Sequence, residues 1–219
     1  MYKTEMHCHS APVSSCARAK AGYIVERYLE AGYTSLVSTN HIDMYTFRDM
    51  EDASWQDKVA YYVDGYRELT EAAKGRLHIL LGAEITLAGN DYLVYGLTED
   101  FLRRVEYPHK LSGAAELSSV VRESGMMIFQ AHPFRIGITI QYPELFDGIE
   151  IVNFSPVPSY NELSKTWAKI HNLRGITGTD FHNPEHTPLG GILTDYPITD
   201  NETLLKTLRE RNFKPIGIA

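Results

Sequence analysis

The sequence predicts a single α/β domain built as a parallel barrel, and three observations carry that prediction. Apolar runs of strand length alternate with amphipathic stretches of helical period along nearly the whole chain. Five of those runs end in His, Glu or Asp: Met6-His7-Cys8-His9-Ser10, Thr39-Asn40-His41, Gly82-Ala83-Glu84, Gln130-Ala131-His132-Pro133 and Gly178-Thr179-Asp180-Phe181-His182. A parallel barrel draws its chemistry from the ends of several strands at its C-terminal mouth, whereas an open doubly wound sheet concentrates it at one switch point. The third observation is length. A chain of 219 residues with no repeat, low-complexity segment or linker suits one such domain, 1–219.

Each element has its own justification. Tyr2 to Met6 reads as a strand, and the period of two puts His7 and His9 on one face. Ala17 to Ala31 has helical spacing, with Ala21, Ile24, Val25, Tyr28 and Leu29 on one stripe and Gly32 as the stop. Thr34 to Thr39 is a strand. A loop rich in acidic residues leads to an amphipathic helix from Trp55 to Ala73. Leu77 to Thr86 and Asp91 to Leu97 are two strands around a Gly89-Asn90 turn, a hairpin inside the alternating pattern. Short helices over Asp100 to Val105 and Ala114 to Ser124 precede strands at Met126 to Ala131 and Asp147 to Asn153. A helix from Ser159 to His171 and a strand from Gly175 to Thr179 follow. The tail holds a strand (Gly191 to Thr194), a helix (Glu202 to Arg211) and an extended piece (Pro215 to Ile218).

Composition excludes several classes. A hydrophobic content of 43% supports a full core, and a net charge of −7 argues against a nucleic-acid or membrane-surface binder. No stretch has the features of a signal peptide or the length of a membrane span. Cys8 and Cys16 alone do not make a disulfide framework, so the cytoplasm is the expected compartment. Gly89, Gly96, Gly190 and Gly191 lack the spacing of a phosphate-binding glycine loop.

Taken in order, the His-x-His pair, the second-strand His, Gly-Ala-Glu, His-Pro and Asp-x-His resemble the PHP family, the polymerase and histidinol phosphatase domains. The resemblance covers nearly the whole chain. It implies a distorted seven-stranded β/α barrel, two or three divalent metals per chain (Zn, Mn or Fe, with Mg a further option) and phosphoester hydrolysis through a metal-bound hydroxide. Carried over, it gives one metal to His7, His9, Glu84 and Asp180. A second would be bridged by Glu84 and held by His132, and a third would take His41 and His182. Imidazole and carboxylate suit such ions, and a carboxylate has two oxygens with which to bridge.

The sequence departs from the family pattern in three places. About six residues after His9, where a His or Asp is frequent, it has Ser14, Ser15 and Cys16, which leaves the third metal short of a ligand unless the Cys16 thiolate substitutes. Asp91 stands where many members have a His; it is either a ligand or a turn residue after Asn90. Asn40 replaces an Asp before His41 and offers a weaker supporting partner.

Other residues admit two readings. Arg135 is a phosphate clamp or a surface arginine, while Arg18, Lys20 and Arg48 are weaker candidates near the mouth. Glu150 and Asn153 end a buried strand, where an unpaired carboxylate would cost too much, so one of them supports the pocket. Cys8 is expected in the core, His78 as a packing residue, and His109, His171 and His186 in loops, with His186 within reach of the mouth. In the expected reaction Asp180 or His182 moves a proton and Arg135 offsets phosphoryl charge. The acidic balance favours a small phosphorylated substrate, a monoester or nucleotide, over a long nucleic acid or a membrane. Histidinol phosphate, a phosphodiester or an amide on the same site, and a degenerate regulatory barrel, remain open alternatives.

Overall fold

The computed structural model describes residues 1–218. Its strands are β1 (Tyr2–Cys8), β2 (Ser35–Ser38), β3 (His41–Ile42), β4 (His78–Leu87), β5 (Asn90–Tyr95), β6 (Met127–Gln130), β7 (Gly148–Asn153), β8 (Arg174–Gly178), β9 (Ile192–Thr194) and β10 (Lys214–Pro215). The helices are α1 (Ala21–Glu30), α2 (Trp55–Ala73), α3 (Glu99–Arg104), α4 (Ala114–Glu123), α5 (Asn161–Ile170) and α6 (Asn201–Glu210).

The strands run in the order β10-β9-β1-β2-β4-β5-β6-β7-β8. The two ends of the stretch from β1 to β8 then meet. Just past β8, Phe181 forms a parallel bridge with Cys8, with His9 N donating to Phe181 O at 2.9 Å. The ring β1-β2-β4-β5-β6-β7-β8 is thus the expected seven-stranded barrel, nearly closed, with the β9–β10 pair added antiparallel to β1 and β3 added on β4. The distortion comes from β5, which is antiparallel to both neighbours in an otherwise parallel ring.

The barrel interior is filled by Met6, Val37, Leu80, Leu93, Phe129 and Ile176, and Leu204 and Leu208 of α6 join the same cluster. Side chains of opposite parity on β4 and β5, such as Ala83, Ile85, Tyr92 and Val94, pack outward on α2, α3 and α4. This alternation leaves Glu84 pointing inward above the apolar plug. Gly178 shows how tight the interior is: a Cβ there would collide with His7 Cβ and Glu150 Oε1.

Most element boundaries differ from the sequence expectation by a residue or two, and three of the differences have a visible physical reason. α1 starts at Ala21 rather than Ala17, since the N–H groups of Arg18 and Ala19 both donate to His182 O. α5 starts at Asn161 rather than Ser159, which is bridged to Arg135. The hairpin turn is Ala88-Gly89, one residue early; both have positive φ, 51° and 75°, as a two-residue type I′ turn requires. His78 is also corrected. It opens β4 as an exposed residue instead of a packed one.

Candidate metal centre

Of the eight expected metal-binding residues, His7 and Glu84 lie in the C-terminal halves of β1 and β4, His9, His41, His132, Asp180 and His182 follow β1, β2, β6 and β8, and Asp91 lies at the start of the antiparallel β5, which is at the same end of the ring. They converge. His7 and His9 have no exposed surface, and Glu84, His132 and Asp180 are 1–2% exposed. Above them lies a cavity of about 490 Å³ whose wall includes His41, Glu84, Asp91, His132, Arg135, Asp180 and His182. Arg18, Lys20 and Arg48 are not part of that wall; Arg48 is exposed and pairs with Asp49.

Within this site three groups of donor atoms lie within 4.8 Å of one another: His7, His9, Glu84 and Asp180; Glu84, Asp91 and His132; His9, His41 and His182. Glu84 belongs to two of them. Its Oε2 is 3.2 Å from the nearest ring nitrogen of each of His7, His9 and His41, while its Oε1 is 3.1 Å from His132 Nε2. Asp180 Oδ1 stands 3.4 and 3.3 Å from the same atoms of His7 and His9.

Hydrogen bonds fix which nitrogen each ring presents. His7 Nδ1 is 3.0 Å from Glu150 Oε1 and His182 Nδ1 is 2.9 Å from the Asp180 carbonyl, acceptors both, so each Nδ1 carries the proton. For His9 the partner is Ser14 Oγ at 3.1 Å. Asn40 Oδ1 is fixed as an oxygen by accepting from Ser10 N at 2.7 Å, so the Ser14 hydroxyl donates to Asn40 and accepts from His41 N and His9 Nδ1. Nε2 of His7 and of His9 is left without a hydrogen-bond partner, buried and facing carboxylates, as is His41 Nδ1. Buried polar atoms are almost always paired, and a cation is the partner that three such nitrogens and two carboxylates would share. The donor set fits divalent Zn, Mn or Fe.

Burial works against charge on Glu84 and Asp180, yet the imidazoles around them, His7 foremost, hold both carboxyls well below the usual carboxylate range. His41 and His182 are pulled down by burial, to about 4 and about 3. The backbone is strained here too: His132 and Asp180 have φ of 26° and 53°, a region that side chains other than glycine rarely adopt.

Several supports had no signature in the sequence. Glu5, fully buried, accepts from the N–H groups of Met6, His7 and Thr179, from Tyr28 Oη and from Thr179 Oγ1, and so ties β1 to the segment that delivers Asp180. Glu150 was the expected pocket support, and its Oε2 also accepts from His132 N and Asn153 Nδ2, both at 2.9 Å. Arg135 does face the site: Nη2 donates to Asp180 Oδ2 at 2.7 Å and to Asn153 Oδ1 at 2.9 Å. Asp91 accepts from Thr86 Oγ1 at 2.6 Å, with its second oxygen 3.8 Å from His132 Nε2.

No protein-family model and no curated protein matches the sequence. Solved structures do. A two-domain protein of Bacteroides vulgatus, containing a PHP-like metal-dependent phosphoesterase by prediction, superposes with a TM-score of 0.70 at 17% identity over 98% of this chain. The fold is PHP-like. This chain spans 64% of that protein. PsfC from Pseudomonas syringae gives a TM-score of 0.65 at 15% identity, over all of this chain and 92% of its own. A protein of Bifidobacterium adolescentis, named a metal-dependent phosphoesterase by assignment only, gives 0.57 at 16% identity over 95% and 96%. The PHP-like barrel explains why ligand-type residues far apart in sequence share one mouth.

Proposed function

We propose that the protein is a metal-dependent phosphoric monoester hydrolase that holds two divalent cations firmly, one in the His7, His9, Glu84 and Asp180 group and one in the Glu84, Asp91 and His132 group. The observation that supports this most is the sharing of Glu84 between groups whose buried imidazole nitrogens have no protein partner. A third ion would sit with His41 and His182. His9 is the remaining member of that group, but its Nδ1 is committed to Ser14 and its Nε2 faces the first group. One nitrogen serves one ion, so the third site is the weak one.

Divalent cations held there supply Lewis acidity toward water and phosphoryl oxygens. The rest falls to the chain. Glu150 and Ser14 orient His7 and His9 by holding Nδ1. Arg135 holds Asp180 Oδ2, which turns Oδ1 toward His7 and His9, and its Nη1 remains for a phosphoryl oxygen. Burial lowers His182 to about 3, so the ring is neutral near pH 7, and with Nδ1 donating to the Asp180 carbonyl its Nε2 is a hydrogen-bond acceptor toward a water or the leaving-group hydroxyl rather than a strong base. Its neighbour Asp180 keeps that ring in place through the carbonyl bond to Nδ1. No seryl or cysteinyl nucleophile is required, since Ser10 and Ser14 are occupied with Asn40.

A small phosphorylated substrate suits the size of the cavity and its single basic side chain; a long nucleic acid does not. Among the described residues no helix is long and apolar enough to cross a membrane. Two free cysteines, one of them at the cavity wall, suit a reducing compartment such as the cytoplasm. The reading is tested by assaying 4-nitrophenyl phosphate with protein loaded with Mn, Zn or Fe, alongside its metal content. Turnover that needs at least two ions per chain supports it; absence of turnover with every metal contradicts it.

A further inference from the structure

The strand-end ligands occupy the floor of the cavity, so a phosphoryl group bound there must send its leaving group toward the open side. That side is walled by Cys16, Ser155, Pro156, Val157, Asn183 and His186. Two features of this wall restrict what it can accept. Among the described residues Arg135 is the only Lys or Arg lining the cavity, and it is already bound to Asp180 and Asn153. A second phosphate or a carboxylate on the leaving group would find no cation. Nor does any Phe, Tyr or Trp line the cavity, so a nucleobase would find no stacking platform.

What the wall offers instead is neutral hydrogen bonding from the turn after β8. His186 Nδ1 accepts from His182 N at 3.2 Å. An imidazole that accepts through Nδ1 carries its proton on Nε2, which points away from that bond, and no hydrogen bond among the described residues uses Nε2. The same turn presents Asn183, whose Oδ1 is buried without a partner beside the cavity. His186 N donates to Asn183 O at 2.9 Å, so the backbone of one closed turn carries both side chains. A fixed donor and an unmet acceptor on one turn match a hydroxyl, which both accepts and donates.

We infer that Asn183 and His186 form a leaving-group subsite for an uncharged, hydroxyl-bearing group, so that the substrate class is a sugar or polyol monophosphate. This rests on the phosphoesterase reading above and deepens it. Pro156 and Val157 on the same wall complement the C–H faces such a group also carries, without demanding charge.

The experiment compares kcat/KM of the metal-loaded protein for glycerol 1-phosphate and glucose 6-phosphate with that for 4-nitrophenyl phosphate, AMP and fructose 1,6-bisphosphate. H186F keeps a ring but removes both the Nε2 donor and the Nδ1 acceptor for His182 N, and H186Q restores a donor and an acceptor of similar reach. One neutral hydrogen bond corresponds to about a three- to tenfold change. The expected result is that the two monophosphates are preferred over AMP and the bisphosphate. H186F should lower the ratio of polyol to aryl phosphate turnover by that factor through KM, H186Q should recover most of it, and metal content should stay the same in both. An equal loss on both substrate types, or a wild-type preference for AMP or the bisphosphate, would overturn the subsite. Absence of turnover with every ester would instead remove the phosphoesterase reading on which it stands.

Discussion

His7 Nδ1 and Glu150 Oε1 lie 3.0 Å apart, although 143 residues separate them in the chain. This contact makes the strand-end imidazole point Nε2 at Glu84 and Asp180, and it passes so close to Gly178 that no side chain fits there. E150Q should therefore weaken metal binding without removing a ligand. The amide turns a donor either toward His7 Nδ1 or toward His132 N and Asn153 Nδ2, all donors themselves. Metal affinity is expected to fall about 10- to 100-fold and stability by about 1–3 kcal/mol, read by competitive chelator titration and denaturant unfolding. Unchanged affinity would show that His7 needs no such partner.

Glu5 makes a second prediction. Its carboxylate gathers five donors from β1, α1 and Thr179. E5Q presents an amide to donors and leaves some unmet, so stability should fall by about 1–3 kcal/mol. Because four of those donors belong to Met6, His7 and Thr179, which are or adjoin the ligands His7 and Asp180, metal affinity should fall as well. Full stability in E5Q would mean that the closure of the barrel at β1 and β8 depends on other contacts.

What the sequence made legible was whatever had a local pattern. The strand-end motifs stood out because a strand repeats every two residues and because His, Glu and Asp end apolar runs only at some cost. The same residues led to the barrel, and the hairpin at Ala88-Gly89 was visible within one residue. Glu5, Ser14 and Asn183 were not legible as site residues. Each acts through bonds that the topology alone creates, such as Thr179 N to Glu5 across 174 residues. Ser14 read as the gap in a ligand set, yet its hydroxyl fixes His9. The late start of α1 was hidden for the same reason, since it depends on His182 O.

Proton release should separate the sites. Burial disfavours charge on His7 and His9, but Glu84 and Asp180 outweigh it and raise both pKa values above that of an ordinary histidine. Below those raised values each ring holds a proton that a cation must displace, and the competition eases as pH rises. His41 and His182, lowered to about 4 and about 3, have no such proton near neutrality. Calorimetric titration at pH 7 in buffers of different ionisation enthalpy should show protons released with the tight ions and none with the weak one. Equal release at every site would contradict this division.

The weak third site can be strengthened. Ser15, exposed at the rim, stands where the resembling family often supplies His or Asp. S15H should raise metal stoichiometry toward three per chain, whereas wild type holds the third ion only when phosphate adds an oxygen. Three tightly held ions in wild-type protein in phosphate-free buffer would mean that another ligand already serves, Cys16 on the cavity wall being the nearest candidate.

Glu84 is the point at which the account is most exposed, because one carboxylate is asked to serve two ions with its two oxygens. The decisive measurement is metal stoichiometry, by elemental analysis after dialysis, for wild type and E84Q side by side. At least two ions per chain in wild type, and no more than one in a folded E84Q that has lost hydrolysis, is the predicted result. Two ions retained in E84Q with turnover intact, or no more than one in wild type, would contradict it.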